Sequence, residues 1–403
     1  MKALRPAKIL LPKTDDYTSW ACIACDQFTS EKEYWTTLEN QVKGKRTTLD
    51  LVLPEIYLDE RTDERIEKIN ANILKYDTDG VFDELKEGFI LTVRSTPYVK
   101  RRIGLVGAID LDEYMYSKKS DALIRSTEGT IEERIPPRLK IRKDAAVEFP
   151  HVMVLFDDEK RDILETLYEN RSNFKKVYDF DLNMGGGHIE GYFIDDTDEL
   201  LKKFDALLDE ERLIKKYGTA DKFQFAVGDG NHSLATAKAH WNNIKKTLKD
   251  GETHPAKYAL CELVNIYDEG IYFEPIYRLV FGVDKEKFLN GLKEVDMGKV
   301  RVYDGSDMVA IDGKSTLPEG ITNTDDYIKN YIEKFGGSVD YIHGESNLIK
   351  LVDDLGGVGI LFEKLEKEDL FRYVSTRGAF PRKTFSMGEG VEKRYYLEGR
   401  RIK

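Results

Sequence analysis

Residues 225–241 read FAVGDGNHSLATAKAHW. An apolar run built on Phe223, Phe225 and Val227 stops at Gly228-Asp229-Gly230-Asn231-His232-Ser233, and a run of good helix formers follows at once. A strand that enters a Gly-rich turn and then a helix leaves unpaired N–H groups at the helix N-terminus. With the helix dipole, these groups make a ready site for phosphate or carboxylate. Glycine permits positive φ and lets a ligand approach the backbone closely. Ser233 could cap the helix or bond an oxyanion, His232 could donate to a phosphate or move a proton, and Asp229 could hold a metal or a hydroxyl. The spacing alone fits an ordinary β-turn with an N-cap as well as it fits an anion cradle, because Asp-Gly-Asn is a common turn signal. It matches neither the P-loop nor the dinucleotide fingerprint.

The flanking sequence alternates strand-like and helix-like segments. Residues 30–44 predict a helix capped by Ser30, with Glu33 three residues on and Gly44 as its stop. Residues 59–80 predict a second, highly charged helix. The stretch 87–114 alternates in the manner of strands around a turn at Pro97, and 151–158 (HVMVLFDD) reads as a buried strand. Residues 161–180 read as an amphipathic helix, 190–195 as a strand and 198–218 as a helix ending at Gly218. Strands at 259–265 and 270–281 precede a last third with helices at 285–295, 325–335 and 345–355 among short strands. This interleaving predicts a mixed α/β (α+β) protein, cut softly near 280 into parts 1–280 and 281–403.

Bulk composition narrows the function classes. A chain of 403 residues predicts two or three domains, and 41% hydrophobic with 11% aromatic residues suffices for packed cores. The balance of 62 basic and 74 acidic residues, net −12, disfavours a nucleic-acid binder and favours a protein that handles small molecules. No apolar stretch approaches a membrane span, and the N-terminal residues lack a signal-peptide core. With three cysteines and no disulfide framework, a cytosolic protein is expected. Cys22 and Cys25 form a C-x-x-C, but Cys261 is distant and a zinc site would need two more nearby ligands. Buried thiols are expected instead.

Other segments carry candidate chemistry. Asp26 and Glu31 stand just before a predicted helix, where each competes between structural duty and service as a base or metal ligand. The loop Arg125–Thr130 and the stretch Glu132–Arg138 gather hydroxyls, carboxylates such as Glu128, and arginines beside Pro136 and Pro137. Arg138 there suits bidentate recognition of phosphate or carboxylate. Residues 375–384, with Arg382 and Lys383, are a basic patch in an acidic chain and read as an anion-facing flap. The run Gly185-Gly186-Gly187 predicts a loop that bends around something or a flexible hairpin connection.

The set ACDQFTSEKEYW, STEGTIEERIPPR, GDGNHSLATAKAHW, DYIHG and PRKTFSMGEGVEKRYYLE resembles the bacterial domain-of-unknown-function family 1015, nearly end to end and in order. The Asp229–Ser233 turn is similar to the phosphate-binding turn of ParB, sulfiredoxin and the free serine kinase of archaea, with Asn231 in place of His and Ser233 in place of Arg. The resemblance implies a ParB/sulfiredoxin-like core, a smaller C-terminal α/β part with a basic flap, and phosphoryl transfer to or from serine or a similar small hydroxy metabolite. It implies Glu31, then Asp26, as the base on the substrate hydroxyl, with Asp229 and His232 also catalytic. Phosphate and substrate would be held by Gly228, Gly230, Asn231, Ser233, Arg138, Arg382 and Lys383. ATP or ADP is the implied nucleotide, and Mg²⁺ would bind through Asp229 or Glu128. A phosphoserine phosphatase and a non-catalytic sensor of a phosphorylated metabolite or nucleotide are the rival readings.

Overall fold

The computed structural model describes residues 3–58, 62–117, 119–129 and 135–403. The chain divides into two compact units, Met1–Ile271 together with Glu389–Lys403, and Tyr272–Gly388. The Phe273–Phe281 strand belongs to the second unit and the last fifteen residues to the first, whereas the sequence reading placed that strand with residues 1–280 and the C-terminal residues with the part after 280.

The first unit is built on one large mixed sheet. Its strands run in the order Lys175–Asp181, His188–Ile194, Phe82–Ser95, Arg102–Asp110, Tyr258–Asn265, Met153–Phe156, Phe225–Asp229, Ile124–Ser126 and Tyr114–Met115. Met153–Phe156 is buried along its whole length, as expected of an apolar strand with neighbours on both sides. It lies antiparallel to Phe225–Asp229, with Val227 opposite Val154 and Asp229 opposite Met153, and the register slips between Val227 and Asp229. Because the two strands run in opposite directions, residues 150–152, which lead into the first, lie beside residues 229–233, which leave the second.

The helix Asn231–Lys245 follows the turn. Leu234, Ala237 and Trp241 recur at helical spacing and bury one face in the same cluster as Val154, Phe156, Phe225 and Val227. Each large side chain so buried contributes about 1.5–3 kcal/mol. Lys238 Nζ donates to the Leu111 carbonyl at 2.7 Å and Trp241 Nε1 to Asp112 Oδ1 at 2.9 Å, which fixes the rotation of the helix.

In the second unit, a six-stranded antiparallel sheet runs in the order Met308–Asp312, Lys299–Tyr303, Val358–Phe362, Phe273–Phe281 and Ser338–His343, with Phe385–Met387 paired to the start of Phe273–Phe281. Helices Lys285–Leu292, Leu317–Phe335, Glu345–Leu355 and Lys367–Arg377 complete it. The mixed α/β class expected from the sequence is the one observed.

Several local readings are corrected. The helix expected over 161–180 ends at Glu169, and Lys175–Asp181 is a strand, because its alternating side chains pair with His188–Ile194. The helix expected over 198–218 is two, Asp198–Ala206 and Glu210–Tyr217, since Asp209 caps the second by accepting from the Arg212 N–H. Ser30 is not a cap; the helix Lys32–Gln41 starts after Glu31, whose side chain makes no capping hydrogen bond. Residues 59–61 and 130–134 of the predicted helix and polar loop lie outside the described residues.

Candidate functional site

At the end of the Phe225–Asp229 strand, Gly230 takes the left-handed conformation, φ +77°, and occupies the N-cap of the next helix. Having no side chain, it cannot cap the first-turn N–H groups, as Ser, Thr, Asp or Asn would. Asp229 turns one carboxylate oxygen back to the Gly230 N–H at 2.9 Å. The other oxygen lies 3.3 Å from Lys393 Nζ, in a half-buried ion pair. The N-terminal end of the helix therefore carries a fixed positive potential with a lysine ammonium beside it.

Behind this turn stands His151, 5% exposed. Its Nε2 is 3.2 Å from Ser233 Oγ and 3.6 Å from Asp26 Oδ2, and its Nδ1 is 2.8 Å from the Tyr396 hydroxyl. Burial works to raise the pKa of the Asp26 carboxyl, but the neighbouring His151 and Lys393 and the Gln27 amide outweigh it and hold it below the usual carboxylate range. On the opposite flank, Ser126 Oγ donates to Asn231 Oδ1, and also lies 2.8 Å from the Glu128 carbonyl. Thr127 Oγ1 donates to the Val227 carbonyl at 2.7 Å. A cavity of about 170 Å³ adjoins the site, lined mainly by aliphatic side chains, with Ser233, His151, Tyr396 and Cys25 among its polar lining.

The C-terminal segment reaches this place through buried hydrogen bonds. The Arg94 guanidinium donates to the carbonyls of Val391, Glu392 and Lys393, at 2.7, 3.1 and 2.7 Å. Tyr395–Tyr396 pairs antiparallel with Cys22–Ile23, which draws the segment before Asp26 to the same spot.

The structure brings together Gly228, Asp229, Gly230, Asn231, His232 and Ser233 in one turn, with the Glu128 backbone carbonyl reached through Ser126 Oγ. His232 is half-buried in the first helical turn. Asp26 joins them through His151, whereas Glu31 is exposed at the head of its own helix and takes no part in this cluster. Arg138 pairs with Glu55 in the wall of the cavity. Arg382 and Lys383 belong to the second unit, where both are exposed and the Lys383 carbonyl accepts from Arg278 at 2.7 Å. Cys22, Cys25 and Cys261 are free thiols whose pKa values are pushed up by burial. Among the described residues, the set of three side chains that could hold a metal is Asp179, His188 and Glu190. It lies on a hairpin away from the turn, and Lys176 already bridges Asp179 and Glu190 at 2.5 and 2.8 Å.

His151, Lys393 and Tyr396 were not foreseen from the sequence. His151 opens a segment that reads as a plain buried strand, and the two others lie in the stretch PRKTFSMGEGVEKRYYLE, which the family resemblance includes without giving a role to Lys393 or Tyr396.

These features define a mixed α/β protein with an uncapped helix N-terminus, a lysine and a buried histidine gathered at a strand–turn–helix junction. The chain belongs to the family described as protein of unknown function DUF1015, whose model matches residues 4–347. No curated protein matches it. Among solved structures it is similar to a conserved hypothetical protein from Pyrococcus furiosus, at 13% identity and a TM-score of 0.36 over 73% of this chain and 94% of that one. It is similar to free serine kinase in complex with AMP, at 10% identity and a TM-score of 0.38 over 72% and 90%. It is also similar to SbnI with a C-terminal truncation from Staphylococcus aureus, at 10% and 0.37 over 70% and 82%.

Proposed function

We propose that the first unit transfers a phosphoryl group to or from serine or a similar small hydroxy metabolite, with the phosphate seated on the N–H groups of residues 231–233. The observation that carries this reading is the uncapped, glycine-headed helix N-terminus with Lys393 held beside it by Asp229. Phosphoryl transfer asks for positioning and charge neutralisation more than for an elaborate covalent apparatus. The helix end and Lys393 supply positive charge, and Ser233 and Asn231 supply hydrogen bonds. Asp26, ionised and beside His151, is the carboxylate placed to take a proton from a substrate hydroxyl. His232 serves the bound phosphate from the same turn.

ATP or ADP is the donor implied by the family resemblance. A hard cation is commonly held by one or two carboxylates together with substrate phosphates. Asp229, whose oxygens meet the Gly230 N–H and Lys393, and Glu128 are the carboxylates that would hold it. When bound, Mg²⁺ would supply further neutralisation of the phosphate charge.

The experiment is incubation of the full chain with ATP, ADP or pyrophosphate plus serine, and with phosphoserine alone, following product by mass spectrometry. Turnover is expected in one of these combinations, abolished by Asp229→Asn and by His232→Ala with the melting temperature unchanged. Absence of turnover in all of them, with no nucleotide binding by calorimetry, would remove the reading.

A further inference from the structure

Ser233 stands in the third position of the site helix. A serine inside a helix commonly turns its hydroxyl to the carbonyl four residues earlier, as Thr236 does here to His232 at 2.7 Å. Ser233 instead meets the imidazole of His151 at 3.2 Å. That imidazole is held on its other side. The Tyr396 oxygen, 3% exposed, accepts the Cys25 N–H at 3.2 Å and lies 2.8 Å from His151 Nδ1. We take the tautomer with the proton on Nδ1, donated to the Tyr396 oxygen. In that tautomer Nε2 carries a lone pair, 3.2 Å from the Ser233 hydroxyl. The edge-to-face packing of the two rings, with centroids 5.4 Å apart, locks the imidazole. Asp26 Oδ2, 3.6 Å from Nε2, stands ready to stabilise an imidazolium.

A hydroxyl bonded to a base, a base bonded to a third group that orients it, and N–H donors in the same helical turn together constitute an activated nucleophile. We infer that Ser233 is itself phosphorylated during the reaction, with His151 as its base and Tyr396 as a positioning residue. This inference rests on the phosphate seat proposed above and replaces direct transfer with a two-step one.

In the first step Ser233 Oγ attacks the terminal phosphorus of a phosphoanhydride, such as a nucleoside di- or triphosphate. The Oγ–P bond forms, and the P–O bond to the leaving phosphate chain breaks. The electron pair goes with the leaving group, which departs as an anion and needs no proton, and the Ser233 proton passes to His151 Nε2. In the second step the substrate hydroxyl attacks the same phosphorus. The Oγ–P bond breaks, Oγ recovers its proton from His151, and the substrate's hydroxyl proton passes to Asp26.

The test is to incubate the full chain with ATP, ADP or pyrophosphate labelled in the terminal phosphoryl group, without an acceptor, and to quench in acid. A mass gain of one phosphoryl group, mapped to Ser233 by peptide mass spectrometry and discharged on adding serine, is the expected result. Ser233→Ala should abolish the label, and His151→Gln should slow its formation about a hundredfold or more. Turnover without label on Ser233, or turnover that survives Ser233→Ala, overturns the inference and leaves the proposed function standing. Nucleotide binding with neither label nor turnover, with serine added, overturns both. Loss of binding, turnover and label together removes both. The mapping is done on the unaltered protein, so its result does not depend on whether either variant folds.

Discussion

Lys393 places its ammonium 3.3 Å from the Asp229 carboxylate, joining the C-terminal segment to the turn that follows the Phe225–Asp229 strand. The pair is oriented from both ends: the Gly230 N–H holds one Asp229 oxygen, and Arg94 holds the Lys393 carbonyl. Lys393→Met keeps the aliphatic stem and removes the charge. A hydrogen bond to a charged group is worth about 1.5–3 kcal/mol, so the variant should bind inorganic phosphate roughly ten- to a hundredfold more weakly. Isothermal titration checks this, and an unchanged affinity would show that Lys393 serves Asp229 alone.

Gly230 is constrained twice. Its φ of +77° is left-handed, and a Cβ there would lie 3.0 Å from the Val152 Cα, which is backbone. Gly218 has the same φ of +77°, but a Cβ would meet open space. The left-handed conformation costs an L-residue about 1–2 kcal/mol, so Gly218→Ala should lose about that much. Gly230→Ala should lose more, about 2–4 kcal/mol with the steric push added, and should weaken phosphate binding because Val152 and His151 must shift. Urea denaturation of the two variants gives the comparison.

Arg394 sits between Glu262 and Glu398 at 2.6 Å from each, with all three side chains almost wholly buried. Removing one partner of a buried ion pair costs about 3–5 kcal/mol, because the remaining charge has no water to return to. Arg394→Met should destabilise the first unit by at least that amount in denaturant titration, since it strands two carboxylates. Glu262 retains the Thr92 hydroxyl as a donor at 3.0 Å. Restoring the cation with Arg394→Lys should recover part of the loss, while the second bridge stays broken.

The turn could be read from the sequence because its signals are local. An apolar strand, two glycines and a helix-forming run act over neighbouring residues, and residues 228–233 fall where that reading put them. The residues that complete the site are distant in the chain. His151 arrives only because its strand runs antiparallel to Phe225–Asp229, and Lys393 and Tyr396 arrive because Arg94 and a two-residue strand pair fix the C-terminal segment. No periodicity encodes either event. Helix lengths failed for a related reason. Residues 175–181 carry apolar positions compatible with a helix, and only the partner strand decides between the two periods.

His240 gives the pH dependence its clearest handle. It lies on the buried side of the site helix, 5% exposed, and its Nε2 has no hydrogen-bond partner among the described residues. Burial, followed by the positive charges of Arg142 and Lys403, pushes its pKa down to about 4. The folded protein therefore keeps this imidazole neutral, while the unfolded chain takes a proton near pH 6.5. Stability from this group is present in full above that value and is lost as the pH falls toward 4, where the folded state also protonates. Each pKa unit corresponds to 1.36 kcal/mol, so going from pH 7 to pH 5 should cost about 2 kcal/mol through His240 alone. Carboxylates whose folded pKa is lowered lose their contribution further down, as the pH approaches their own range. His240→Phe removes the proton site and keeps the ring. Denaturant titrations at pH 7 and pH 5 should therefore show a smaller stability loss in this variant than in the parent, by about 2 kcal/mol. An equal loss in both would place the acid sensitivity elsewhere, and the lone buried nitrogen would then have to find a proton acceptor or donor that comes into reach at low pH.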